Sequence, residues 1–123
     1  MKYGFVTITV KDMDESARFY KDVLGLKEAR RFSPQPGVDI VFLKDEEGNA
    51  IELIAHEGNE GACGRSSVSI GFEVDSLEAT MAMLKDRNVG IIRGPLGATG
   101  GVRFLFVKDP NGVEIEFIEG FKL

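Results

Sequence analysis

The chain has 123 residues, 43% of them hydrophobic and 28% charged, which suits one ordinary globular domain or two small packed units. A net charge of −5 argues against nucleic acid as a partner, because phosphate binding wants a basic face. No apolar run reaches the roughly 18 residues of a membrane span, so neither a transmembrane helix nor a membrane partner is expected.

Met1 to Phe5 lead straight into an alternating pattern, with no apolar signal segment. Cys63 is the only cysteine, which excludes an intrachain disulfide and a thiolate metal cluster and makes the cytoplasm the default setting. Residues 5–10, FVTITV, alternate and predict a strand. Asp12 or Asp14 suits a helix N-cap, and Ala17, Tyr20 and Leu24 form a helical stripe that stops at Gly25. Residues 26–34 predict an outgoing strand, and Ser33-Pro34-Gln35-Pro36-Gly37 a loop. Residues 38–44 and 50–56 predict a hairpin turning at Asp45 to Asn49.

The segment from about 58 to 66 is rich in glycine and small polar residues and reads as a linker. The same order of elements then returns. Ser67 to Val74 predicts a strand, and Asp75 or Ser76 caps a helix to about Arg87. A strand starts over Gly90 to Arg93, and Gly94 to Gly101 reads as a mobile glycine-rich loop. Residues 102–107 and 113–119 form a second hairpin around Asp109-Pro110-Asn111-Gly112, a strong turn sequence.

The two halves also repeat residue by residue. VDIVFLKDEEGNAIELI at 38–54 lies over VRFLFVKDPNGVEIEFI at 102–118 without a gap. Glu52 falls on Glu116, 64 residues further on, and the same offset pairs Val10 with Val74 and Lys21 with Lys85. The expected architecture is α+β: one domain over 1–123 made of paired βαβββ modules, at about 1–57 and 67–123.

Alternation assigns the faces. Val6, Ile8, Val10, Ile51 and Leu53 should pack under the first helix, with Ile70, Phe72, Val74, Ile115 and Phe117 under the second. The opposite face carries Phe5, Thr7, Thr9 and Glu52 in one half, and Ser69, Glu73, Glu114 and Glu116 in the other. If the sheets curl, this acidic, partly apolar face becomes a cup for a small molecule. Phe32, Phe42, Phe104 and Phe106 read as mostly core, with any that face the cup free to stack on a planar ligand. Arg103 and Arg65 are candidates for an anionic group on the ligand, and Cys63 has no activating partner in sequence.

This pattern resembles the vicinal oxygen chelate superfamily, which includes glyoxalase I, bleomycin resistance proteins, fosfomycin resistance proteins and extradiol dioxygenases. VTITVKDMDESARFYKDVLGL resembles the family's opening segment and VKDPNGVEIEFIE its closing one. The resemblance implies a curved-sheet cup and, in metal-dependent members, a histidine on each first strand and a glutamate on each last strand. Glu52 and Glu116 match the glutamates, as metal or catalytic carboxylates. Phe5 and Ser69 stand where the histidines would be, and Thr9 where bacterial glyoxalase I has a glutathione-holding arginine.

His56 is the only histidine, and four strand residues separate it from Glu52 by about 13 Å. Two readings stay open. One is a glyoxalase-like protein that binds a small molecule through Phe5, Thr7, Thr9, Ser69, Glu73 and Arg103, of the sequestration or resistance type, with no certain cofactor. The other is a lyase or isomerase using Glu52 and Glu116 with a divalent ion (Mg²⁺, Mn²⁺, Ni²⁺ or Zn²⁺) in an atypical site. The resemblance also implies a homodimer.

Overall fold

A computed structural model gives the fold, and it describes residues 5–58, 68–97 and 101–121. Cys63, Arg65, most of the linker and residues 98–100 of the glycine-rich segment lie outside the described residues. The chain divides into two compact units, Met1–Gly64 and Arg65–Leu123.

In the first unit, β1 (Phe5–Thr9) leads to α1 (Met13–Asp22), then β2 (Lys27–Gln35), β3 (Val38–Lys44) and β4 (Ala50–His56). The sheet order is β1-β4-β3-β2, with β1 parallel to β4 and the other pairs antiparallel. In the second unit, β5 (Ser69–Val74) leads to α2 (Leu77–Asp86), then β6 (Arg93–Gly97), β7 (Arg103–Lys108) and β8 (Glu114–Glu119). Its order, β5-β8-β7-β6, repeats the first. The α+β reading with paired βαβββ modules is therefore the observed fold.

Both helices start on side-chain caps. The Asp12 carboxylate accepts from the Glu15 amide at 2.8 Å, and the Ser76 hydroxyl from the Ala79 amide at 3.1 Å. Glu119 of β8 also accepts from the Leu77 amide at 2.7 Å, tying the start of α2 to the end of an inner strand. Each helix buries one stripe: Met13, Ser16, Ala17 and Tyr20 on α1, and Leu77, Thr80 and Leu84 on α2. Beneath them, Ile8, Val10, Ile51, Leu53, Ile115 and Phe117 of the predicted inner face are buried, joined by Val41 and Leu43 in the first unit and Leu105 and Val107 in the second. Val6, Ile70, Phe72 and Val74, expected on the same faces, are only half-buried.

The hairpin turns are built alike. Asp45 accepts from the amides of Glu47 and Asn49, and Asp109 from those of Asn111 and Val113. These are Asx turns, which explains why aspartate stands at both positions.

Two segments differ from the sequence reading. β2 continues through Ser33 and Pro34 to Gln35, so the connection to β3 is only Pro36-Gly37. A register shift between Phe32 and Gln35 accommodates the proline there, as an edge strand permits. The other is Arg93–Gly97, expected largely as loop and observed as strand β6. Its glycines mark close backbone approach: a Cβ at Gly94 would lie 2.8 Å from the Phe104 carbonyl, and one at Gly97 would run into the Val102 carbonyl.

Candidate functional site

Strand register places the polar face row by row. In the first unit, Thr7 of β1 lies beside Glu52 of β4, which faces Phe42 of β3, which faces Arg30 of β2. In the second, Gly71 lies beside Glu116, then Phe106, then Arg93. Each sheet thus repeats a glutamate–phenylalanine–arginine row on the face turned away from its helix.

The sequence repeat hides the arginines, because their offset is 63, not 64. The second unit is one residue shorter after its helix, where Asn88 takes the left-handed conformation that Gly25 takes in the first. It regains that residue at the register shift between Arg93 and Leu96. Only the pairing shows Arg30 and Arg93 to be equivalent.

Phe5, Thr7, Thr9 and Glu52 share one face of the first sheet, as expected from alternation. Thr7 Oγ1 donates to Glu52 Oε1 at 2.7 Å, which fixes one carboxylate oxygen. The Phe5 ring meets Phe42 edge-on, with centroids 5.2 Å apart. Glu52 is half-buried, with Phe42 directly across from it and Ile54 two residues further along the same face of β4. Ser69, Glu73, Glu114 and Glu116 likewise share one face of the second sheet. Gly71 gives Glu116 no donor corresponding to Thr7. A Cβ there would sit 4.0 Å from Glu116 Oε1, an ordinary contact.

Four phenylalanines are placed differently from the reading as mostly core. Phe32, Phe42, Phe104 and Phe106 all lie on the glutamate face, opposite Ile40, Glu52, Ile118 and Glu116. Phe42, Phe104 and Phe106 occupy the non-helix phase of β3 and β7, while Val41, Leu43, Leu105 and Val107 take the buried phase.

Arg103 is a correction: it does not line this face with Glu116. It shares the phase of buried Leu105 and Val107, faces Glu119, and pairs with Glu78 of α2 at 2.6 Å. The hydrogen bond from Arg103 holds the Glu78 carboxyl below its ordinary value, and Glu78 in turn raises Arg103. Arg103 joins α2 to the start of the inner strand β7.

The donor set does not fit a centre of two imidazoles and two carboxylates. Phe5 offers a phenyl ring engaged with Phe42, and Ser69 a primary hydroxyl. His56 ends the unbroken strand β4, exposed and opposite Val38, four residues beyond Glu52. Among the described residues, no three His, Cys, Asp or Glu side chains gather where they could hold an ion.

Comparison with known proteins agrees with the fold. A model of the glyoxalase/bleomycin resistance protein/dioxygenase superfamily matches residues 2–117. The chain belongs to that superfamily. It is 34% identical over 119 residues to the lactoylglutathione lyase of Haemophilus influenzae, covering 91% of this chain and 87% of that protein. The structure of the trypanothione-dependent glyoxalase I of Leishmania major matches with a TM-score of 0.81 at 26% identity, covering 98% of this chain and 87% of that one. The fosfomycin resistance protein FosX of Listeria monocytogenes shares the fold at 17% identity, with a TM-score of 0.78 over 98% of this chain and 91% of that one. Among the described residues no helix is long and apolar enough to cross a membrane.

Proposed function

We propose that this chain is a small-molecule-binding member of the superfamily. Its ligand meets the face that carries Thr7, Glu52 and the aromatic rings, and binding needs no metal. The carrying observation is the Glu52 carboxylate, half-buried between Phe42 and Ile54 and held at 2.7 Å by Thr7. A carboxylate fixed in this way accepts a hydrogen bond or faces a cation without first losing rotamer freedom. The adjoining rings favour a planar group. Sequestration of such a ligand is the reading, and Glu116 with Glu73 and Ser69 supplies the corresponding polar face of the second unit. As a cytoplasmic homodimer the protein would follow the family pattern.

The second reading is a divalent-metal-dependent lyase or isomerase using Glu52 and Glu116. What favours it is the 34% identity to a lactoylglutathione lyase. What opposes it is the chemistry of Phe5 and Ser69.

The test is a thermal-shift screen of planar aromatic amides and amines in chelator, with hits titrated against wild type, Glu52→Gln and Glu116→Gln. Binding in chelator that weakens about tenfold in Glu52→Gln supports the sequestration reading. Formation of lactoylglutathione that is lost on chelation and lost in Glu52→Gln supports the lyase.

A further inference from the structure

Comparison of the two units points to one more element of recognition. Arg93 lies over the Phe106 ring, with its guanidinium carbon 4.1 Å from the centroid, and bonds Glu114 Oε1 at 2.6 Å. The guanidinium face rests on an aromatic ring while its edge holds a carboxylate, the arrangement in which arginine grips anions best. Beside Glu114 on β7 stands a second cation, Lys108.

The first unit has the cations without the carboxylate. Arg30 is the register equivalent of Arg93, and Lys44, paired with Ala50, that of Lys108. Ala50 stands where Glu114 stands. Arg30 rests on the Phe32 ring instead, 4.3 Å from its centroid. Among the described residues neither Arg30 nor Lys44 is paired with a carboxylate. Lys27 adds a third positive charge directly across from Lys44. Like charges facing each other across a strand pair are unfavourable, and an anion between them removes that cost. The chain's net charge of −5 makes this local cluster the more distinctive.

We infer that the first unit binds the carboxylate of a small aromatic acid through Arg30 and Lys44. The acid occupies the place over Ala50 that Glu114 fills in the second unit, with its ring against Phe42 and Phe5. This inference rests on the proposed binding at the Glu52 face and deepens it. Glu52 and Thr7 meet the polar edge of the ligand, while Arg30 and Lys44 meet its charge. Arg30 leaves Phe32 and swings toward Ala50 when the acid binds.

The test uses the full chain in chelator and three probes: 2-naphthoate, 2-naphthamide and 2-naphthyl phosphate, titrated by amide NMR. Naphthoate should bind at least about tenfold more tightly than the amide, as loss of a charge-assisted bond implies. Arg30→Gln should bring the acid down to the affinity of the amide. Ala50→Glu should do the same by supplying the carboxylate from within, while folding as stably as wild type. Glu114→Ala, which frees Arg93, should raise the stoichiometry from one naphthoate to two.

Equal affinity for acid and amide overturns the inference, as does naphthoate binding unchanged in Ala50→Glu. Tighter binding of the phosphate than of the acid overturns the carboxylate assignment. The parent reading fails separately, through unchanged amide affinity in Glu52→Gln.

Discussion

The hydrogen bond from Thr7 to Glu52 gives a prediction with a definite size. Replacing Thr7 by valine keeps the branched shape and the strand preference and removes only the donor. A bond to a charged acceptor contributes roughly 1.5–3 kcal/mol when enclosed. Here Thr7 is exposed and Glu52 half-buried, so water recovers much of that and about 1 kcal/mol remains. Urea unfolding at neutral pH of wild type, Thr7→Val, Glu52→Gln and the double variant should therefore give a coupling of about 1 kcal/mol. The second unit supplies the reciprocal experiment. Gly71→Thr meets Glu116 Oε1 at ordinary contact distance, with its Cβ 4.0 Å away, and should create the missing bond. Its cycle with Glu116→Gln should acquire a coupling that wild type lacks. A Thr7–Glu52 coupling below about 0.3 kcal/mol, within ordinary additivity, would refute the claim that Thr7 fixes Glu52.

Other outcomes follow from the same structure. Glu28 is held at about 2 by hydrogen bonds from Arg31 and Lys21, well below its usual 4.5. A depressed carboxylate stabilises above its unfolded value, so the contribution should be full above about pH 4.5 and fade as pH falls toward 2. Solvent screening limits it to about 1 kcal/mol, and Glu28→Gln should lose that amount at pH 7 but almost nothing at pH 2 by chemical denaturation. Gly97→Ala should cost at least about 3 kcal/mol, because φ is +103° and the added Cβ meets backbone. Gly48→Ala, at φ +90° with nothing within 4 Å, should cost only about 1 kcal/mol, both read by urea unfolding. Arg103→Met should leave the affinity for naphthamide unchanged, since Arg103 belongs to the α2 side.

Much of this architecture was legible because alternation and capping are local. Asp12 and Ser76 cap the two helices as their positions suggested. Phe5, Thr7, Thr9 and Glu52 share a face because a strand has a period of two. What the sequence hid depends on pairing between strands. Arg103 was misplaced because its phase in β7 is set by Leu105 and Val107, which the sequence could not distinguish from Phe104 and Phe106 as core. Arg30 and Arg93 escaped notice because a one-residue deletion and a compensating bulge break the repeat between helix and hairpin. The glycines of β6 looked like a loop because the sequence does not reveal how closely another backbone passes. Across from Glu52 the structure sets Thr7, while Phe5 lies beside Ala50, a register no spacing argument supplied.

The measurement that bears most directly on the account is metal content and melting temperature of the same samples. The full chain is stripped with chelator, then given Mg²⁺, Mn²⁺, Ni²⁺ or Zn²⁺ in turn. An ion at a hundredfold its dissociation constant would add about 2.7 kcal/mol of stability, a shift easily read. The account predicts no retained ion and no shift, with naphthamide binding intact in chelator. One ion retained per chain, raising the melting temperature and lost in Glu52→Gln or Glu116→Gln, would contradict it.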